Sequence, residues 1–145
     1  ERASQVRRAV HTTFFNAADN SYVNGYPAYL AMAIMVNLPP QNLKDKVWKR
    51  LEHEILINRK GHFWGGITAG SFLFHTLLDS GRNDLIYEMA IKEDFPSWGY
   101  MLKCGNGTFF EDWECRGSAL HSSYLYIGVP HPHCNGREDD NLLSL

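Results

Sequence analysis

Cysteine is scarce. The chain carries three, Cys104, Cys115 and Cys134, with no C-x-x-C pair among them. An odd number closes no disulfide framework, and the spacing matches no zinc finger. A Cys115–Cys134 bridge and free thiols are both compatible with it. Excess charge of one sign is also missing. Fourteen Lys and Arg against sixteen Asp and Glu leave a net charge of -2, which gives no basic footprint for nucleic acid. No run of like charges marks a tail. No apolar stretch is long enough to cross a bilayer, so neither nucleic acid nor membrane is an expected partner. The opening Glu1-Arg2-Ala3-Ser4 has no hydrophobic signal core and no initiator Met; the chain is expected to be part of something longer. A Gly-rich phosphate loop and a strand–helix alternation are both absent, which argues against a nucleotide-binding α/β fold.

What is present is a hydrophobic share of 44%, ordinary for a globular core, and an aromatic share of 13%, which is rich. Aromatic rings pack cores, and they also stack on sugar faces. The apolar spacing is helical. It predicts a first helix over Gln5–Phe15 (Val6, Ala9, Val10 and Phe14), then a loop of turn formers over 16–25. A second helix follows Pro27 and is apolar nearly all round from Ala28 to Val36, implying burial on several sides; Pro39-Pro40 should end it. A third, Asn42–Ile57, aligns Leu43, Val47, Leu51, Glu54 and Ile55 on one face. Gly61–Gly66 breaks the chain. Helices are expected over Thr68–Leu78, Asn83–Ile91 and Ser118–Ile127. Residues 96–116, with Pro, Gly and many aromatics, read as irregular or short-stranded. The fold class is all-α, with helices paired as in a bundle or an α/α toroid.

Chemistry concentrates in one segment. Phe95-Pro96-Ser97-Trp98-Gly99-Tyr100 is followed by Gly105-Asn106-Gly107-Thr108-Phe109-Phe110-Glu111-Asp112-Trp113 and by Ser118-Ala119-Leu120-His121. Pro and Gly build tight loops. Trp98, Tyr100, Phe110 and Trp113 supply flat apolar walls, and the Glu111 carboxylate stands among them. Such walls lower the local dielectric and shift a carboxyl toward a useful range. Glycoside hydrolysis needs a pair of carboxyl groups, and in the inverting form one of them draws a proton from water.

These motifs, in this order, resemble the α-L-rhamnosidase family of six-hairpin glycosidases. His62-Phe-Trp-Gly-Gly66 and Gly81-Arg-Asn-Asp-Leu85-Ile-Tyr87 precede the P-S-W-x-Y and G-x-x-T-x-x-E-x-W runs with the family's spacing. The resemblance covers most of residues 10 to 128. It implies a partial (α/α)6 barrel: residues 1–128 as the C-terminal portion of a catalytic barrel and 129–145 as a loose tail. It implies Glu111 as general base, with Trp98 and His121 lining the sugar site and Tyr100, Phe110, Trp113 and His62 beside them. The substrate would be a rhamnose-containing glycoside or polysaccharide. The general acid would lie in the remainder of the barrel, so this piece alone is expected to be inactive.

The pattern departs from the family at Leu120, where Asn is usual, at Phe110, where Trp is usual, and at Asn106-Gly107. No cofactor is implied. His131, His133 and Cys134 give at most three ligands where a structural zinc takes four, so no metal is expected. Asn106-Gly107-Thr108 is a formal glycosylation sequon that overlies the motif, where a glycan would block it. Two other readings compete. One is a non-catalytic carbohydrate-binding or helical interaction module, favoured by Leu120 and the missing acid. The other is a barrel lyase, which would need a Tyr or His base.

Overall fold

The computed structural model describes residues 1–104 and 113–115. The expected Ser118–Ile127 helix, the 129–145 tail and its His131, His133 and Cys134 lie outside the described residues. Within them the chain is a succession of helices: α1 (Arg2–Phe14), α2 (Pro27–Met35), α3 (Lys44–His53), α4 (Ile67–Asp79), α5 (Asn83–Ala90) and α6 (Trp98–Cys104). A two-stranded antiparallel hairpin joins α1 to α2, with β1 (Phe15–Asn16) paired to β2 (Ser21–Tyr22) in the register Phe15↔Tyr22.

Helix α2 is the centre of the fold. Leu30 and Ala31 have no exposed surface and Ala33 is buried. The helix packs most extensively on α4 and next on α3. Each Leu-sized side chain removed from water in this way contributes about 2 kcal/mol. Val47, Leu51 and Ile55 come from α3 and its extension, Leu73, Phe74 and Leu77 from α4, and Leu85 and Met89 from α5; all are buried. The predicted apolar face of the third helix is therefore the face that packs. On α4 the Thr76 hydroxyl donates to the Ala31 carbonyl at 3.2 Å, a buried link between the two central helices. Ala28 and Met32 share a pocket wall with Ala69 and Phe72, while Thr76, a turn further on, meets Ala31. The two helices therefore run in the same direction.

Several local expectations are corrected. The α2 helix does not run on to the prolines. It stops at Met35, where Asn37 takes the left-handed conformation at φ 53. The Asn37 amide donates to Ile34 O at 2.9 Å and the Leu38 amide to Ala33 O at 2.8 Å, a Schellman closure. Gly81, at φ 69, ends α4 in the same way. The loop after α1 contains the hairpin, because Phe15, rather than the exposed Phe14, turns inward. Its ring stacks on His11 at 4.7 Å and meets Tyr22 at 5.3 Å. The segment expected to be irregular holds α6 instead. Ser97 caps it, its hydroxyl accepting from the Tyr100 amide at 3.0 Å.

The third helix continues past His53 as a turn of π-helix, Glu54–Asn58. Glu54 is only 6% exposed, and three neighbours donate to its carboxylate: Arg50 at 2.8 Å, Asn58 at 2.6 Å and Arg59 at 3.2 Å. Arg50 also reaches Asp19 at 3.6 Å, which ties the hairpin loop to α3. Burial alone would push the Glu54 carboxyl up. The donors outweigh that and hold it below its ordinary value of 4.5.

A carboxyl group depressed on folding adds stability that is complete well above 4.5 and fades as pH falls through the lower folded value. We expect Glu54→Ala to cost about 1–3 kcal/mol at neutral pH, because it takes the shared acceptor from two partly buried guanidinium groups and one amide. Glu54→Gln should flatten the acid limb of a plot of melting temperature against pH. Parallel plots for Glu54→Gln and the unaltered protein would contradict this account.

Candidate functional site

The motif residues meet around one ring. Phe63, 3% exposed, belongs to the loop between the π-turn and α4. The Trp98 ring lies parallel to it, with centroids 5.9 Å apart and planes inclined by 3°. Trp113 meets Phe63 edge-on at 5.7 Å and Trp98 edge-on at 5.7 Å. Phe74 of α4 completes the cluster, 5.3 Å from Phe63 and 5.7 Å from Trp98. Offset and edge-on pairs of this kind are each worth about 1 kcal/mol beyond the area they bury. The fit is close: a Cβ on Gly70 would come within 3.0 Å of the Phe63 ring.

Trp98 and Trp113 are thus brought together. Trp98 is half-buried, and Trp113 retains 8% of its surface. Tyr100 stands in a second, more open group: its ring meets Phe95 edge-on at 5.3 Å, and Phe95 meets Trp64 at 6.1 Å. Contact with the Cys104 side chain pushes the Tyr100 phenol up. Glu111, Phe110 and His121 lie outside the described residues, as does the Asn106 sequon.

His62 is engaged by its own chain. Its Nδ1 lies 2.9 Å from the Pro96 carbonyl and its Nε2 3.3 Å from the Asp94 carboxylate. Both partners are acceptors, so each ring nitrogen faces an oxygen of the α6 approach. The residue latches the loop before α4 to the loop before α6, which sets Trp98 against Phe63. The N-terminal ends of α2 and α4 share a pocket, and His62 brings that of α6 beside them. Residue 113 joins the same end through its ring contacts.

Sequence reading missed two contributors. One is the Glu54–Arg59 pair, whose guanidinium lies 4.5 Å from the Tyr26 ring centroid. The other is the pocket that Tyr26 lines with Tyr29 and Phe72. The signal available was Tyr26-Pro27-Ala28-Tyr29 at a helix start together with Gly65-Gly66 at the next. Among the described residues no cluster of His, Cys, Asp and Glu is arranged to hold a metal ion.

Residues 1–127 match the family described as the bacterial alpha-L-rhamnosidase 6 hairpin glycosidase domain. An alpha-L-rhamnosidase of Streptomyces avermitilis is 29% identical over 112 residues, 77% of this chain and 11% of its own length. One from Alteromonas sp. is 34% identical over 87 residues, 60% of this chain and 9% of its own. The crystal structure of the Streptomyces avermitilis enzyme complexed with L-rhamnose superposes with a TM-score of 0.66 at 25% identity, covering 77% of this chain and 11% of that one. The alpha-L-rhamnosidase from Dictyoglumus thermophilum gives 0.67 at 25% identity, over 76% of this chain and 13% of that one. The chain thus spans about a tenth of the length of the curated relatives it matches.

Gly99 gives a test of how tightly α6 is seated. A Cβ there would come 2.5 Å from the Lys92 carbonyl oxygen and 3.0 Å from Glu93 Cα, both backbone atoms that cannot swing aside. We expect Gly99→Ala to destabilise by about 2 kcal/mol through overpacking and to alter the near-ultraviolet circular dichroism of the Trp cluster. Gly66→Ala, whose Cβ meets nothing within 4 Å, should cost less than about 1 kcal/mol. Equal melting temperatures for the two variants would refute the seating.

Proposed function

The chain belongs to the bacterial α-L-rhamnosidase six-hairpin glycosidase domain family, and from that premise we propose that it is part of the catalytic barrel of an enzyme that removes terminal α-L-rhamnose from glycosides or polysaccharides with inversion. Its helices form a partial six-hairpin glycosidase fold. In this reading Glu111 is the general base. It takes a proton from a water molecule, and that water attacks the anomeric carbon from the face opposite the leaving oxygen. An acid from another part of the barrel protonates that oxygen as the glycosidic bond breaks. The water's oxygen and one of its hydrogens end on the rhamnose, its other proton passes to Glu111, and the leaving group takes the acid's proton; proton exchange with solvent restores both carboxyl groups, so no other reactant is needed.

One observation carries the proposal: Trp98 of the P-S-W motif and Trp113 of the E-x-W motif pack against one another at 5.7 Å. Two peptide units separate Glu111 from Trp113, a reach of at most about 7 Å. In this reading the chain keeps the base within that reach of Trp113. Aromatic surroundings disfavour the charged carboxylate and raise its affinity for a proton, which suits a base working near neutral pH. His121, Tyr100 and Phe110 would complete the sugar site. His62 supports it through the Pro96 and Asp94 contacts rather than by a free ring nitrogen. A carbohydrate-binding role without catalysis is the second reading, favoured by Leu120 in the place of the usual Asn.

We expect Glu111→Gln in the intact protein to lower turnover of an aryl α-L-rhamnoside by roughly 10²–10⁴-fold, the usual contribution of a general base, while substrate still binds. Proton NMR at early times should show β-L-rhamnose as the first-formed product. Near-normal turnover by Glu111→Gln would exclude the base assignment. First formation of the α-anomer would exclude inversion.

A further inference from the structure

Between the N-terminal halves of α2 and α4 lies a pocket of about 460 Å³, in the range of ordinary small-molecule sites. Its lining combines three rings, Tyr26, Tyr29 and Phe72, with hydrogen-bonding groups on Asn24 and Thr68 and the bare backbone of Gly66. Among the described residues no Lys, Arg, Asp or Glu lines it. We propose that this pocket is a saccharide subsite that takes a neutral sugar unit of the leaving group. The proposal rests on the glycosidase reading above.

The chemistry of the lining selects that class. A pyranose presents an apolar C–H face and an edge of hydroxyl groups. Rings interleaved with an amide and hydroxyls suit both surfaces. Among the described residues no charged side chain lines the pocket to receive a phosphate, a uronate or an amine, and Arg59 is already engaged by Glu54. The wall is also ordered before anything binds. Arg59 stands over the Tyr26 ring at 4.5 Å, and the buried Glu54 carboxylate fixes Arg59 Nε at 3.2 Å. A ring already held in place gives up little freedom on binding.

The position agrees with a leaving-group site. Gly65 and Gly66 follow directly on Phe63 and Trp64. A Cβ on Gly65 would stand 3.4 Å from the Phe63 ring, and Trp98 stacks on that same ring at 5.9 Å. One ring therefore separates the pocket wall from the proposed rhamnose site.

Two variants test the subsite without depending on one fold-sensitive change. Gly66 has an ordinary φ of -81, and a Cβ there meets nothing within 4 Å, so Gly66→Leu fills space rather than forcing the backbone. Tyr29 lines the pocket and packs into none of the buried core of this chain, so Tyr29→Ala removes a wall. In the intact protein carrying Glu111→Gln, we would titrate a neutral α-L-rhamnosyl-glucose disaccharide and, separately, L-rhamnose, by calorimetry. Each variant should weaken the disaccharide roughly tenfold while L-rhamnose changes by under about twofold. Three results overturn the subsite: equal weakening of both ligands, unchanged disaccharide affinity in correctly folded variants, or a disaccharide that binds the starting protein no more tightly than L-rhamnose. Should Glu111→Gln still turn over, the base assignment fails alone. The same comparison is then read as KM for the disaccharide against an aryl α-L-rhamnoside in the active enzyme.

Discussion

The arrangement at the site depends on the seat of one side chain, Phe63. It is buried where three stretches distant in sequence converge: the loop before α4, the first turn of α6 and residue 113. Its ring is held from the α4 side by Phe74 and by two glycines that have no Cβ to obstruct it, Gly65 and Gly70. A ring in that position cannot shift without moving Trp98 and Trp113 as well, because protein interiors are packed as tightly as organic crystals.

Phe63 is itself placed by an electrostatic device one turn upstream. The Glu54 carboxylate gathers Arg50, Asn58 and Arg59, and the helix widens to π geometry where it does so. A buried ion pair is a weak source of net stability but a strong source of geometric definition when every lone pair finds a donor. Here the definition extends outward. Arg59 fixes Tyr26, Arg50 fixes the hairpin loop through Asp19, and the chain leaves the π-turn aimed into the Phe63 loop. The two ordering elements are complementary: packing holds the motif loops, and charge holds the segment that delivers them.

Much of this was legible from residues alone, for identifiable reasons. The helical periodicity of α3 and α5 reports one-sided burial, and Val47, Leu51, Leu85 and Met89 are indeed the buried positions. The all-round apolar α2 reports burial on several sides and proved to be the central helix. What escaped has physical causes too. The hairpin has two residues per strand, too short for alternation to register. The π-turn arises from a carboxylate finding three donors in space, which spacing cannot express. Helix α6 was hidden by its aromatic content, although Ser97 directly after Pro96 is a sound capping signal. The motif order identified Trp98 and Trp113 as neighbours; periodicity could not show that His62 would be occupied by Pro96 and Asp94.

The same geometry bears on how a base could work among aromatic rings. Desolvation by such rings opposes a charged carboxylate, and taken alone it would leave the group protonated and useless as a base. The N-terminal ends of α2, α4 and α6 meet at this end of the fold, drawn together by the shared pocket and by the His62 latch. Each helix start carries the positive end of its peptide dipoles, an effect worth about 0.3–1 kcal/mol per terminus near a surface. Summed over three, that is comparable to one or two units of carboxyl pKa. The aromatic cluster and the helix starts therefore act in opposite directions on any carboxylate held between them. The proposed mechanism asks for that balance: a carboxylate ionised at neutral pH and yet able to take a proton as the water attacks.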